Sequence, residues 1–231
     1  FSYAGYNVAF LVIAKLFRGM PLAQLEGELE EYFRLVPKVK DPYLPCFLTI
    51  YRQLVLALQG RTYSPETFSN DCFDEEGFIR GDTGYRIREK ELFDYYLCKN
   101  QVYYLMGYYQ QSLPILKRAE KLTKLYFGEV YLAEHAFYYC LTIAASYHAF
   151  SPWKKLLYWP LLRKKYRQLK GWARRCPANF RHKALLVEAE IARIRGRARE
   201  AARLYDEAIK SAGEFGYIQN AAIAGECAAR F

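Results

Sequence analysis

Two stretches of this chain share one spacing, and that repetition limits the possible folds more than any other feature. The first is Gly107-x-Tyr109-x-x-Ser112-x-x-x-Leu116-x-x-Ala119; the second is Gly196-x-Ala198-x-x-Ala201-x-x-x-Tyr205-x-x-Ala208. Each glycine separates two segments whose apolar residues recur at i, i+3, i+4 and i+7, the period of one helix face. Glycine permits a tight turn, the small residue at Ser112 or Ala201 lets two helices approach, and a bulky residue fills the groove one turn later. The same apolar period runs through Tyr6, Ala9, Phe10, Ile13 and Leu16, and resumes after Gly19 and Pro21 with Leu22, Leu25, Leu29 and Tyr32. It returns in 44–58, 89–106, 111–126, 130–148, 153–173, 181–195, 199–212 and 218–231. Strand-like alternation is missing throughout. The expected fold is therefore all-α, an α–α superhelix built as an irregular solenoid of antiparallel helix hairpins. One helical-repeat domain of ten to twelve helices is expected over 1–231. Its one interruption is a turn-rich insertion at about 60–86 that carries Pro65, Asn70, Gly77, Gly81 and Gly84 and is the expected first site of proteolysis.

Charge divides the chain unevenly. Its formal net charge is +10. Residues 135–187 hold 11 basic side chains and no acidic one, whereas the flanking stretches are close to neutral. Within that stretch Lys154, Lys155, Arg163, Lys164, Lys165, Arg167, Lys170, Arg174 and Arg175 interleave with Trp153, Tyr158, Trp159, Tyr166 and Trp172. Cations mixed with aromatics suit nucleic acid, through phosphate contact and base stacking, or an acidic partner or anionic surface. A long amphipathic helix, kinked at Pro160, with aromatics in the core and lysines in water accounts for the same pattern. Positions 159, 166 and 172 fall near one face, which favours that plainer reading.

Chemistry of other kinds finds no support. Phosphate-loop, dinucleotide, nucleophile-elbow and zinc-protease motifs do not occur, so no catalytic residue, cofactor or metal is expected. His135, His148 and His182 are read as core or surface imidazoles. Asp71, Asp74, Glu75, Glu76 and Asp82 crowd one loop, but the third residue from Asp71 is Phe73 and the sixth is Glu76. A calcium loop needs oxygens at alternate positions and glycine at the sixth, so a solvated acidic loop is expected. Six scattered cysteines without a C-x-x-C pair point to reduced thiols in a cytoplasmic protein. The longest uncharged run, 135–153, contains Thr142, Ser146, His148, Ser151 and Pro152. It reads as a buried core helix, and no membrane insertion is expected.

The repeated spacing resembles the tetratricopeptide repeat, whose pattern places Gly, Tyr, Ala, Tyr and Ala at these offsets. Tyr96 and Tyr103 stand where its first helix carries aromatics. Intervals of roughly 41 to 48 residues between turns at Gly19, Gly60, Gly107, His148 and Gly196 imply longer helices than that repeat has. A more specific likeness begins at Trp172-Ala173-x-x-Cys176-Pro177-x-Asn179-Phe180-x-His182-Lys183. It runs on through Leu186-Val187-x-Ala189-Glu190-x-Ala192-Arg193, Gly216-Tyr217-Ile218-x-Asn220 and Ala224-x-Glu226-x-Ala228. This string is similar to the helical-repeat region of large multidomain signalling kinases. There, a serine/threonine-kinase-like domain and an AAA ATPase domain precede the repeats, and a GAF domain and a sensor histidine kinase follow. Phe73-Asp74-Glu75-Glu76 and Met106-Gly107-x-Tyr109 fit the same region more loosely.

The resemblance implies a non-enzymatic scaffold in a two-component signalling chain, linking ATPase and kinase modules to sensor modules. Its partners would be other domains of the same chain or separate proteins. Nucleic acid or an anionic surface, bound through 153–175, is the alternative. A start at Phe1 reads as a piece of something longer. Ile218, Ala221, Ala222, Ala224, Ala228 and Phe231 spread too widely for one neighbour, so further repeats are expected to pack beyond Phe231, with Ile223 and Phe231 open to replacement by Glu.

Overall fold

The computed structural model describes residues 2–39, 41–82, 87–126 and 130–231. These form twelve α-helices and two short 3-10 turns, and the only β-type pairing among them is the isolated bridge Asn70–Phe73. The fold is all-α, with helices packed on their sequence neighbours as in an α–α superhelix. The chain groups into two compact units, Phe1–Leu125 and Tyr126–Phe231.

The first unit comprises α1 (Ser2–Phe17), α2 (Leu22–Phe33), α3 (Val36–Val39), α4 (Tyr43–Leu58), α5 (Glu75–Arg80), α6 (Glu89–Leu105) and α7 (Tyr109–Leu122). Helix α4 is its centre and touches α1, α2 and α6. Accordingly 13 of its 16 residues are buried, as expected for a helix that is apolar all round. Helix α2 lies at the edge and buries only Leu25 and Leu29, leaving Glu26, Glu28, Glu30 and Glu31 on its wetter side.

The second unit comprises α8 (Val130–Ser146), α9 (Pro152–Arg175), α10 (Pro177–Ile194), α11 (Ala198–Glu214) and α12 (Ile218–Arg230). Each helix packs on the next, and α10 also touches α8 and α12. Helix α8 buries 14 of its 17 residues, which places most of the long uncharged run in a core. No described helix is long and apolar enough to cross a membrane.

The repeated spacing corresponds to a repeated structure. Met106-Gly107-Tyr108 joins α6 to α7, and Arg195-Gly196-Arg197 joins α10 to α11. Gly107 and Gly196 have φ of 82° and 71°, and the following residue donates its N–H back into the helix, Tyr108 to Tyr103 O at 2.8 Å and Arg197 to Ala192 O at 3.0 Å. This is the Schellman closure, which needs a left-handed residue at the turn. Beyond it, Ser112 and Ala201 are fully buried, Leu116 and Tyr205 fill the groove, and Ala119 and Ala208 close the contact. Tyr109 and Ala198 lie nearer the surface, with the Tyr109 ring 5.5 Å from that of Tyr104. Phe215-Gly216-Tyr217 is closed in the same way, with Tyr217 N–H on Ala212 O at 2.8 Å, as are the turns at Gly19, Gly60 and Gly81.

The insertion differs from a solvated loop. Asp74 caps α5 by accepting from the Glu76 N–H, and Glu75 then points inward. Its carboxylate accepts from Tyr95 Oη at 2.6 Å, Lys99 Nζ at 2.6 Å, Thr67 Oγ1 at 2.8 Å and the Phe68 N–H at 2.9 Å. Glu75 is thus a buried hub that ties the insertion to α6, and the solvated reading fails for it because four donors replace its water. Asp71, Glu76 and Asp82 do keep to the surface, where Asp71 accepts from Tyr63 Oη and Asp82 from Arg80 Nε. Residues 83–86 of the expected insertion lie outside the described residues. At the other end of the chain, Ile223, Ala224 and Cys227 of α12 are buried. Ile223 is therefore a core position and not, as the sequence suggested, one open to Glu; Ile218 and Phe231 are the exposed apolar residues there.

Candidate functional site

Helix α9 carries the basic segment. Ser151 caps it by accepting from the Lys154 N–H, Pro152 occupies its first turn, and it runs through Pro160 to Arg175. A proline there removes one backbone donor without ending the helix. The inward stripe is Tyr158, Leu162, Lys165 and Leu169, which packs toward α8 and α10. Eight of the nine predicted cations lie on the remaining surface: Lys154, Arg163, Lys164, Arg167, Lys170, Arg174 and Arg175 are exposed and Lys155 half-buried. Lys165 does not join them. It is buried, with its ammonium 5.6 Å from the Tyr139 ring centre, and belongs to the core.

Partners are few along that surface. Lys170 stands 3.8 Å from Glu188, and Lys155 lies over the Tyr147 ring at 5.8 Å. Among the described residues, Lys154, Arg163, Lys164, Arg167, Arg174 and Arg175 make no ion pair. Of the aromatics, Tyr158 is buried and stacks on Phe150 at 4.9 Å. Trp159, Tyr166 and Trp172 are half-buried, and Trp159 has the tilted Tyr147 ring 5.7 Å away and Arg195 over it at 5.2 Å. Trp153 alone is open, at 80% exposure.

The buried charges of the second unit form a separate layer that sequence reasoning missed. Lys183 on α10 meets Glu134 on α8 at 2.5 Å, both almost fully buried, with the ammonium 4.6 Å above the Phe137 ring. Two turns along α10, Glu190 accepts from Tyr205 Oη and from Arg193 at 2.7 Å, while Arg193 also donates to Ala144 O at 2.9 Å. Among the described residues no group of three or more His, Cys, Asp and Glu side chains could hold a metal. All six cysteines are free thiols, and Cys46, Cys98, Cys140 and Cys227 are buried.

The histidines divide between core and surface. His135 is buried edge-on to Tyr139 and His148 is exposed. His182 is buried, stacks on Tyr217 at 4.4 Å, and neither ring nitrogen has a hydrogen-bond partner. Burial, aided by the adjacent Lys183 charge, lowers its pKa from 6.5 to about 3. The folded state thus binds this proton less readily than the unfolded chain does. The His182 contribution to stability should be flat above pH 6.5 and fall by up to about 1.4 kcal/mol per pH unit from there toward pH 3. His182→Phe, which keeps the stack on Tyr217, should flatten the fall between pH 6.5 and 4.5 in urea titrations. An unchanged slope would remove His182 from the acid response.

Comparison of the chain with protein-family models, with curated proteins and with solved structures finds no match.

Proposed function

We propose that this chain is a non-enzymatic helical-repeat scaffold that holds other domains of its own polypeptide, or protein partners, in a cytoplasmic signalling kinase. The observation that carries this reading is the repeated hairpin. Two segments far apart in sequence share the same glycine closure, the same fully buried small residue and the same bulky groove filler. Hairpins of this kind present surface instead of enclosing a reaction centre, and their stacks suit helical or extended ligands. The buried charges are also committed within each unit: Glu75 with Lys99, Glu134 with Lys183, and Glu190 with Arg193 and Tyr205. The likeness to the linker region between ATPase, kinase and sensor modules supplies the biological setting.

The test is association with the segments that flank these residues in their own reading frame. Separately expressed flanking segments should co-elute with residues 1–231 in size-exclusion chromatography. Failure of every flanking segment to associate at tens of micromolar would overturn the reading that the chain holds domains of its own polypeptide.

A further inference from the structure

The outer surface of α9 changes character along its length. At 100° per residue, Trp153, Leu156, Leu157 and Pro160 point away from the inward stripe of Tyr158, Leu162, Lys165 and Leu169. Trp153 is 80% exposed, Leu156 67% and Leu157 54%. One to two turns further on, the same outward arc is Arg163, Lys164 and Arg167, all exposed. Beside the apolar half lies an open hollow of about 440 Å³ lined by Tyr147, Pro152, Lys155, Leu156, Trp159 and Pro160. Beside the basic half lies a second, of about 170 Å³, to which Arg163, Lys170, Arg195 and Arg197 contribute. Glu188 and Glu200 line it as well, engaging Lys170 and Arg197 and leaving Arg163 without an ion pair. A contiguous outward patch of indole and leucine bordered by cations that make no ion pair among the described residues is not an ordinary solvated face.

We infer that this face of α9 docks on an anionic lipid surface. The aliphatic groups and the Trp153 indole enter the boundary between headgroups and acyl chains, and Arg163, Lys164 and Arg167 meet lipid phosphates. Two observations select lipid over nucleic acid. Single-stranded nucleic acid needs open aromatic rings for stacking, yet Tyr158 is buried, Trp159 is half-buried with Arg195 over its ring, and Trp153 is the one exposed ring of α9. Leu156 and Leu157, which have no use on a phosphate backbone, suit an interfacial helix with Trp and Leu on its apolar part and Lys and Arg beside it. Charge complementarity is extensive, since residues 135–187 contain no carboxylate side chain.

The experiment is co-sedimentation of the purified protein with vesicles of phosphatidylcholine alone and of phosphatidylcholine with 30% phosphatidylserine, in low and high salt. Binding should occur to the anionic vesicles, weaken with salt, and be at least tenfold weaker on the neutral ones. Leu156→Glu with Leu157→Glu should reduce it at least tenfold, as should Lys164→Glu with Arg167→Glu. All four positions are exposed, so helicity by circular dichroism should be unchanged in both variants. A third variant, Trp153→Phe, should lessen the blue shift of tryptophan emission on binding. No binding to anionic vesicles at low salt would overturn the proposal, as would binding indifferent to the leucine changes. Tighter binding to a single-stranded oligonucleotide than to vesicles, lost in the variant at Lys164 and Arg167 and kept in the leucine variant, would assign the face to nucleic acid instead.

Discussion

Glu134→Gln is expected to cost the second unit about 3–5 kcal/mol, the usual penalty for stranding one member of a buried ion pair. Lys183 is as inaccessible as its partner, and the Phe137 face beside it cannot replace a carboxylate. Burial already lowers the Lys183 pKa, and the Glu134 charge is what opposes that shift. Removing the carboxylate should therefore push Lys183 toward the neutral amine. Lys183→Met should be costly in the mirror sense, by leaving Glu134 charged among aromatic rings. The double change, Glu134→Leu with Lys183→Met, should recover most of the loss, because well-packed apolar replacements of buried pairs are often neutral. All three tryptophans lie between positions 153 and 172, so tryptophan fluorescence in urea follows this unit alone. Single changes that each cost less than about 1 kcal/mol would show that water reaches the pair.

The second large effect is expected at Glu75. Burial alone would raise its carboxyl pKa; Lys99, Tyr95 and the Phe68 N–H together hold it below the ordinary range. A carboxylate lowered in this way stabilises the fold at neutral pH, and that contribution is lost as pH falls through the unfolded value toward the folded one. Glu75→Gln should cost the first unit about 3 kcal/mol or more, since it takes the carboxylate from a buried Lys99 and leaves it the Phe68 and Tyr103 rings and the Glu66 charge. The loss should be visible locally. Hydrogen exchange at the Phe68 amide, which bonds the carboxylate directly, should accelerate more than exchange along α4. An insertion that stays protected in the variant would mean that Phe68 and Phe78, not the carboxylate, hold it down.

Much of the fold is legible in the residues because its signals are local. The glycine at 107 and at 196 announces a left-handed turn, and the small and bulky positions after it have one geometric meaning on a helix. Boundaries followed the same logic, although α10 begins at Pro177, where proline fits the first turn, and not at 181. The turn at Gly216 shares the closure but not the full spacing, since Gly225 stands where Leu116 and Tyr205 fill the groove. What escaped the sequence was partnership at long range. Glu75, Glu134, Lys183 and Glu190 are charged, and charge is ordinarily a sign of surface; only the approach of other helices shows each to be neutralised inside. Helix α9 failed for a related reason. Its period shows that one side is buried, but choosing among adjacent stripes requires α8 and α10. The inward stripe proved to be Tyr158, Leu162, Lys165 and Leu169, with Trp159, Tyr166 and Trp172 at its margin.

The pairing of Glu134 with Lys183 also has a genealogical consequence. Neither position can drift alone, since each intermediate carries a stranded charge in a sealed interior. Among descendants of one ancestor the two sites should therefore turn over jointly: an acid facing a base, the reverse arrangement, or two hydrocarbons. An acid facing a hydrocarbon should be rare. Such a correlated pair, 49 positions apart in sequence, would be an inherited record of the contact between α8 and α10, readable in related chains without a structure for any of them.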